Sequence, residues 1–66
     1  MTATAQRSVR QAAILAALED VPHMTEHFQR VGRCTLGEAI VELLRLEAEG
    51  LARRGGQMGN MTWRAT

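Results

Sequence analysis

The chain of 66 residues is long enough for one small domain and too short for two, and a domain of that size buries only about 60% of its unfolded surface. An apolar fraction of 45% excludes a disordered chain, two aromatic residues (Phe28 and Trp63) leave an aliphatic core, and a lone cysteine excludes an internal disulfide or a multi-thiolate metal cage. A net charge of +1 selects no partner by itself.

Residues 1 to 7 read as a polar, flexible N-terminal tail, and residues 8 to 66 as the folded unit. Ser8 followed by Gln11 has the form of a capping box, so a first helix is expected to begin there. Ile14, Leu15 and Leu18 recur at helical spacing among alanines, and Pro22 sets the expected end of the helix near Asp20. Thr25 is the expected N-cap of a short second helix with Phe28 and Val31 inward and Gly32 left-handed at its end. Thr35 and Glu38 repeat the capping box for a third helix, LGEAIVELLRLEAE, with Cys34 and Ala39 at the staple positions. At 100° per residue, Leu36, Ala39, Ile40, Leu43 and Leu46 share the inner side, while Gly37, Glu38, Val41, Arg45 and Glu49 share the outer. Gly50 then stands where a left-handed residue ends a helix, and Leu46 and Leu51 are the pair that touch across a Schellman motif.

The remaining stretch, LARR-GGQMGN-MTWRAT, predicts a two-stranded ribbon or wing over about 51 to 65, with Leu51 and Arg53 on one face of its first strand. Met61 and Trp63 are assigned to the core, with Trp63 packing the hairpin on the first helix, and Met58 to the loop tip. The fold class is therefore mainly α with a small β-hairpin. All eight cations are arginine, and the segment from Leu51 onward carries Arg53, Arg54 and Arg64 with no acid. Planar guanidinium groups suit bidentate contacts to phosphate or guanine, although a GC-rich genome, in which arginine codons prevail, is the preferred explanation for the absence of lysine. Arg7 and Arg10 read as solubilising charge.

From Thr25 to the end, and above all in the run L-x-x-L-E-x-E-G-L-x-R-R from Leu43 to Arg54, the chain resembles the winged helix-turn-helix domains of bacterial transcription regulators such as the MarR and ArsR families. The resemblance implies a three-helix winged helix-turn-helix fold on double-stranded DNA, with the third helix in the major groove and the hairpin on the backbone. Positions matching the family's readout surface are Thr35, Gly37, Glu38, Val41, Glu42 and Arg45, with Arg33 in the preceding turn. Wing contacts would come from Arg53, Arg54, Gln57, Asn60 and Arg64. The third helix departs from the pattern by offering one arginine, a valine and two glutamates where groove-facing helices carry donors. That departure motivates a second reading, a winged-helix protein-interaction module or adaptor that does not bind DNA through this helix.

His23 and His27, with Cys34 nearby, are metal-ligand residue types, but Pro22 and Thr25 place His23 ahead of the helix, so solvent-exposed histidines are the expectation. Cys34 reads as a small buried hydrophobe in preference to a redox thiol. No cofactor, metal or enzymatic activity is expected, since no nucleophile–base pair or phosphate-cradling loop occurs. No apolar run approaches a signal peptide or a membrane span, so the expected compartment is the cytoplasm. One copy would cover few base pairs, so a homodimer or an adjacent partner protein is expected, joined through the first helix or the N-terminal tail.

Overall fold

The computed structural model describes residues 7–57 and 60–66, and within them three helices and a small antiparallel sheet enclose one core. Helix α1 (Val9–Ala17) starts where expected, with the Ser8 hydroxyl accepting from the Gln11 backbone N–H at 3.0 Å. It ends at Ala17 and not near Asp20, because Leu18 turns to an extended conformation. That early exit frees the Glu19 carbonyl to accept from the Ala65 N–H at 2.8 Å and delivers the next residues to the sheet. Those residues, His23–Met24, form strand β1, which sequence periodicity did not suggest.

Helix α2 (Thr25–Gly32) is capped by Met24, whose side chain makes no capping bond. Thr25 is not the cap, because its hydroxyl is turned inward, accepting from the Trp63 indole N–H at 3.0 Å and reaching the Met61 carbonyl at 3.4 Å. Gly32 also differs from expectation, lying inside the helix, while Arg33 takes the left-handed conformation with φ 51°. A Cβ on Gly32 would stand 3.1 Å from Ile14 Cδ1 and 3.3 Å from Arg10 Cγ, so the missing side chain serves the approach of α1 and the helix end falls one residue later.

Helix α3 (Leu36–Ala48) begins with both halves of its capping box, Glu38 N–H to Thr35 Oγ1 at 3.1 Å and Thr35 N–H to Glu38 Oε1 at 2.9 Å. Its end is the expected Schellman motif: Gly50 has φ 79°, its N–H bonds Glu47 O, and Leu51 N–H bonds Leu46 O, each at 2.9 Å. Ala39, Leu43 and Leu46 face inward as expected, but Leu36 is substantially exposed. Glu42 takes an inward place instead, only 7% exposed.

Strands β2 (Ala52–Gln57) and β3 (Asn60–Ala65) pair in register from Ala52↔Ala65 to Gln57↔Asn60, and β1 joins the other edge of β3, so the hairpin belongs to a sheet of three strands in the order β1-β3-β2. Gly56, with φ 85°, admits no side chain, since a Cβ there would collide with the Asn60 carbonyl. The core joins Ile14 of α1, Phe28 of α2, Leu43 and Leu46 of α3, Ala52 and Trp63, with Leu51 packed partly against it. Trp63 thus enters a core shared by all three helices, and its polar tie is to α2 and not to α1. Ala52 is the inward residue of β2, because the strand begins after Leu51 and leaves Arg53 outside. Met61 lies at the surface and not in the core. Met58 lies outside the described residues. No helix among the described residues is long and apolar enough to cross a membrane.

Candidate nucleic-acid interface

Strand alternation sorts the hairpin into two faces. Ala52, Arg54 and Gly56 oppose Ala65, Trp63 and Met61 on the side of the core, while Arg53, Gly55 and Gln57 oppose Arg64, Thr62 and Asn60 on the outer side. Arg53 and Arg64 therefore face each other directly across the ladder, both exposed, and among the described residues neither has a carboxylate partner. Like charges placed directly opposite destabilise a ladder, and no ion pair among the described residues offsets this one. The two arginines, Thr62, Gly55 and Pro22 line a shallow hollow there, which Arg54 and Gly56 also border.

A second pair of arginines stands at the other end of the third helix. Arg30, in the last turn of α2, and Arg33, in the left-handed position after it, are exposed and also without carboxylate partners among the described residues. With Gln29, Cys34, Thr35 and Glu38 they line the hollow in front of the turn into α3. Arg30 was not among the residues suggested by the sequence, although its i, i+3 spacing to Arg33 was a usable signal.

The other four arginines are engaged. Arg7 meets Glu49 at 2.6 Å, Arg10 meets Glu38 at 3.2 Å, Arg45 lies 3.6 Å from Glu42, and Arg54 lies 3.4 Å from Glu47 and 5.9 Å from the centre of the Trp63 ring. Arg7 and Arg10 are thus not idle solubilising charge, since each ties the N-terminal part of the fold to α3 or its C-cap. Every carboxylate of α3 and its C-cap has an arginine partner as a result. The Thr35 backbone N–H, then the Thr35 hydroxyl and the charge of Arg10, hold the Glu38 carboxyl below the usual glutamate range. The hydrogen bond from Arg7 does the same for Glu49, and Glu49 in turn raises Arg7.

Glu42 was expected beside the readout positions, yet it points between α1 and α3, where Gln11 Nε2 donates to it at 3.2 Å. What remains on the solvent side of α3 is a ridge of Gly37, Val41, Leu44, Arg45 and Ala48. Val41 and Leu44 are 46% and 40% exposed.

The structure therefore gathers Arg53, Arg64, Gln57 and Asn60 on one face of the sheet, Arg33 and Thr35 at the turn, and Gly37, Val41 and Arg45 along the ridge. Arg54 belongs to the other side of the strand by alternation and is engaged with Glu47, although it also borders the hollow between Arg53 and Arg64. His23 and His27 are not solvent-exposed singles but half-buried rings stacked 4.3 Å apart, with His23 Nε2 2.6 Å from Glu19 Oε1. Among the described residues no three His, Cys, Asp or Glu side chains cluster to hold a metal. Cys34 is half-buried, and its thiol points to the Gln29 carbonyl at 3.9 Å. No family model matches the chain, and neither a curated protein nor a solved structure matches it.

Proposed function

We propose that the chain is a winged-helix DNA-binding protein that holds the duplex mainly by its phosphates and acts as a small transcription regulator by occupying its site. The observation that carries this reading is the sorting of charge. The four arginines without carboxylate partners among the described residues are Arg30 and Arg33 before α3, and Arg53 and Arg64 on the sheet after it. A 13-residue helix separates these pairs, a length of roughly 20 Å. The acids of α3 and its C-cap are meanwhile paired with arginine, and Asp20 and Glu26 are the exposed acids without a cationic partner among the described residues. Gln57 and Asn60 add neutral donors at the hairpin end. Contacts of this kind fix position and carry little sequence information, so weak sequence selectivity is expected.

The test is fluorescence anisotropy of a labelled random-sequence duplex over a salt series. With one phosphate neutralised per unpaired arginine, log Kobs should fall against log salt with a slope of roughly −3 to −4. A flat response, or no binding at low ionic strength, removes the proposal. A second reading, a winged-helix protein-interaction module, is favoured by a different observation: the solvent side of α3 carries Val41 and Leu44, with Leu36, Met24 and Met61 also exposed, and offers a single guanidinium from Arg45. Partner capture without duplex binding would support it.

A further inference from the structure

The exposed ridge of α3 is apolar where a base-reading helix carries donors, and it contains a glycine that its own fold does not require. A Cβ at Gly37 would meet nothing within 4 Å, and its φ is not left-handed. Gly37 is the second residue of α3, and glycine is a poorer helix former than alanine, by up to about 1 kcal/mol in a helix interior. Open space above an unneeded glycine leaves room for another surface to approach closely.

The ridge is complementary to itself. At 100° per residue, Gly37 and Leu44 lie on one flank of Val41, and Glu38 and Arg45 lie on the other. Along the axis, Gly37 and Glu38 precede Val41 by four and three residues, whereas Leu44 and Arg45 follow it by three and four. A two-fold axis through Val41 relating antiparallel helices keeps each flank on its own side and reverses the direction. Leu44 of each copy then falls over Gly37 of the other, and the two Val41 side chains touch at the centre, while Arg45 of each, 3.6 Å from its own Glu42, comes opposite Glu38 of the other, which Arg10 of the same chain holds at 3.2 Å, so that the four charges form one network across the seam. Opposite helix dipoles also run side by side favourably in this arrangement.

We infer that α3 is a self-association surface, and that its occupant is a second copy of this chain packed antiparallel about Val41. This goes beyond the DNA reading, because it assigns the ridge to a protein seam and leaves Arg30, Arg33, Arg53 and Arg64 for phosphate. An isologous contact of this type is the commonest form of symmetric assembly. It also replaces the first helix as the expected dimer surface. The exposed small-residue face of α1, with Val9, Ala12 and Ala16, has no comparable pairing of knob with hollow or of charge with charge.

The experiment uses the full chain without DNA, so its outcome does not depend on nucleic-acid binding. Light scattering over a concentration series up to roughly 100 µM should show a monomer–dimer equilibrium. Val41→Cys in a Cys34→Ser background should cross-link to itself under mild oxidation, whereas Val9→Cys in the same background should not. Gly37→Leu should weaken the dimer at least tenfold while circular dichroism remains that of the folded chain, and Arg45→Glu should weaken it similarly. A chain that stays monomeric overturns the proposal. So does a dimer in which Val9→Cys cross-links and Val41→Cys does not.

Discussion

At the scale of single residues, Thr25 shows a side chain choosing between two duties. By type and position it suits an N-cap, yet its hydroxyl accepts from the buried Trp63 indole, and the helix starts without a side-chain cap. Physical economy favours the inward bond, since an unsatisfied indole N–H in the core costs about 1–3 kcal/mol, whereas water can satisfy a helix terminus. Thr25→Val keeps the shape and removes the acceptor, so urea unfolding should show a loss of about 1–3 kcal/mol, with Thr25→Ser losing less. An unchanged midpoint would mean that the indole finds another acceptor. Gly32 and Arg33 carry a related lesson. The sequence pattern places glycine at the left-handed position, but the proximity of Ile14 and Arg10 claims it for packing, and a left-handed conformation falls on an arginine. Neither outcome can be read from local sequence, because both depend on a contact with a residue far along the chain.

At the scale of elements, what was legible is what is local. The capping box of α3 and the Schellman motif at Gly50 involve residues within five positions of one another, and their donors and acceptors are fixed by helix geometry. Strand β1 was not legible, because two residues have no period and exist as a strand only through pairing with Thr62 and Trp63. The burial of Glu42 was equally hidden, since it depends on Gln11 crossing from α1. The local devices carry a pH dependence. The Glu38 and Glu49 carboxyls titrate below the ordinary glutamate value of 4.5 in the folded chain, so the unfolded chain binds protons first as acid is added. Their contribution to stability is therefore complete at neutral pH and is lost as pH falls below about 4.5 and through the depressed folded values. Thr35→Ala should remove the cap, at a cost of about 1 kcal/mol by urea unfolding at pH 7. It should also flatten the acid limb of the stability curve in part, because the hydroxyl it removes is the second-largest influence on Glu38, while the Thr35 backbone N–H, the largest, remains. An acid limb as steep as that of the parent chain would show that the Thr35 hydroxyl does not lower Glu38.

At the scale of the whole molecule, the arginines divide into two sets that mutation should separate. Arg7 and Arg10 fasten the N-terminal part of the fold to the third helix and its cap, so replacing both with alanine should lower stability and leave the salt slope of DNA binding unchanged. These are exposed ion pairs, for which a small effect is the rule. Arg53 and Arg64 fasten nothing within the described residues, and their mutual repulsion across the ladder opposes folding. Alanine at both positions should therefore leave stability unchanged or slightly raised, while weakening duplex binding and reducing the magnitude of the salt slope by about 2. Surface charges held only for solubility would give equal, small losses in both double variants. The two-assay comparison, urea unfolding beside anisotropy, is decisive because the predicted effects run in opposite directions for arginines of identical chemistry. If the Arg53 and Arg64 double variant binds DNA with the parent slope, the sheet face is not the phosphate contact. The two like charges opposite each other would then need another anionic partner to account for them.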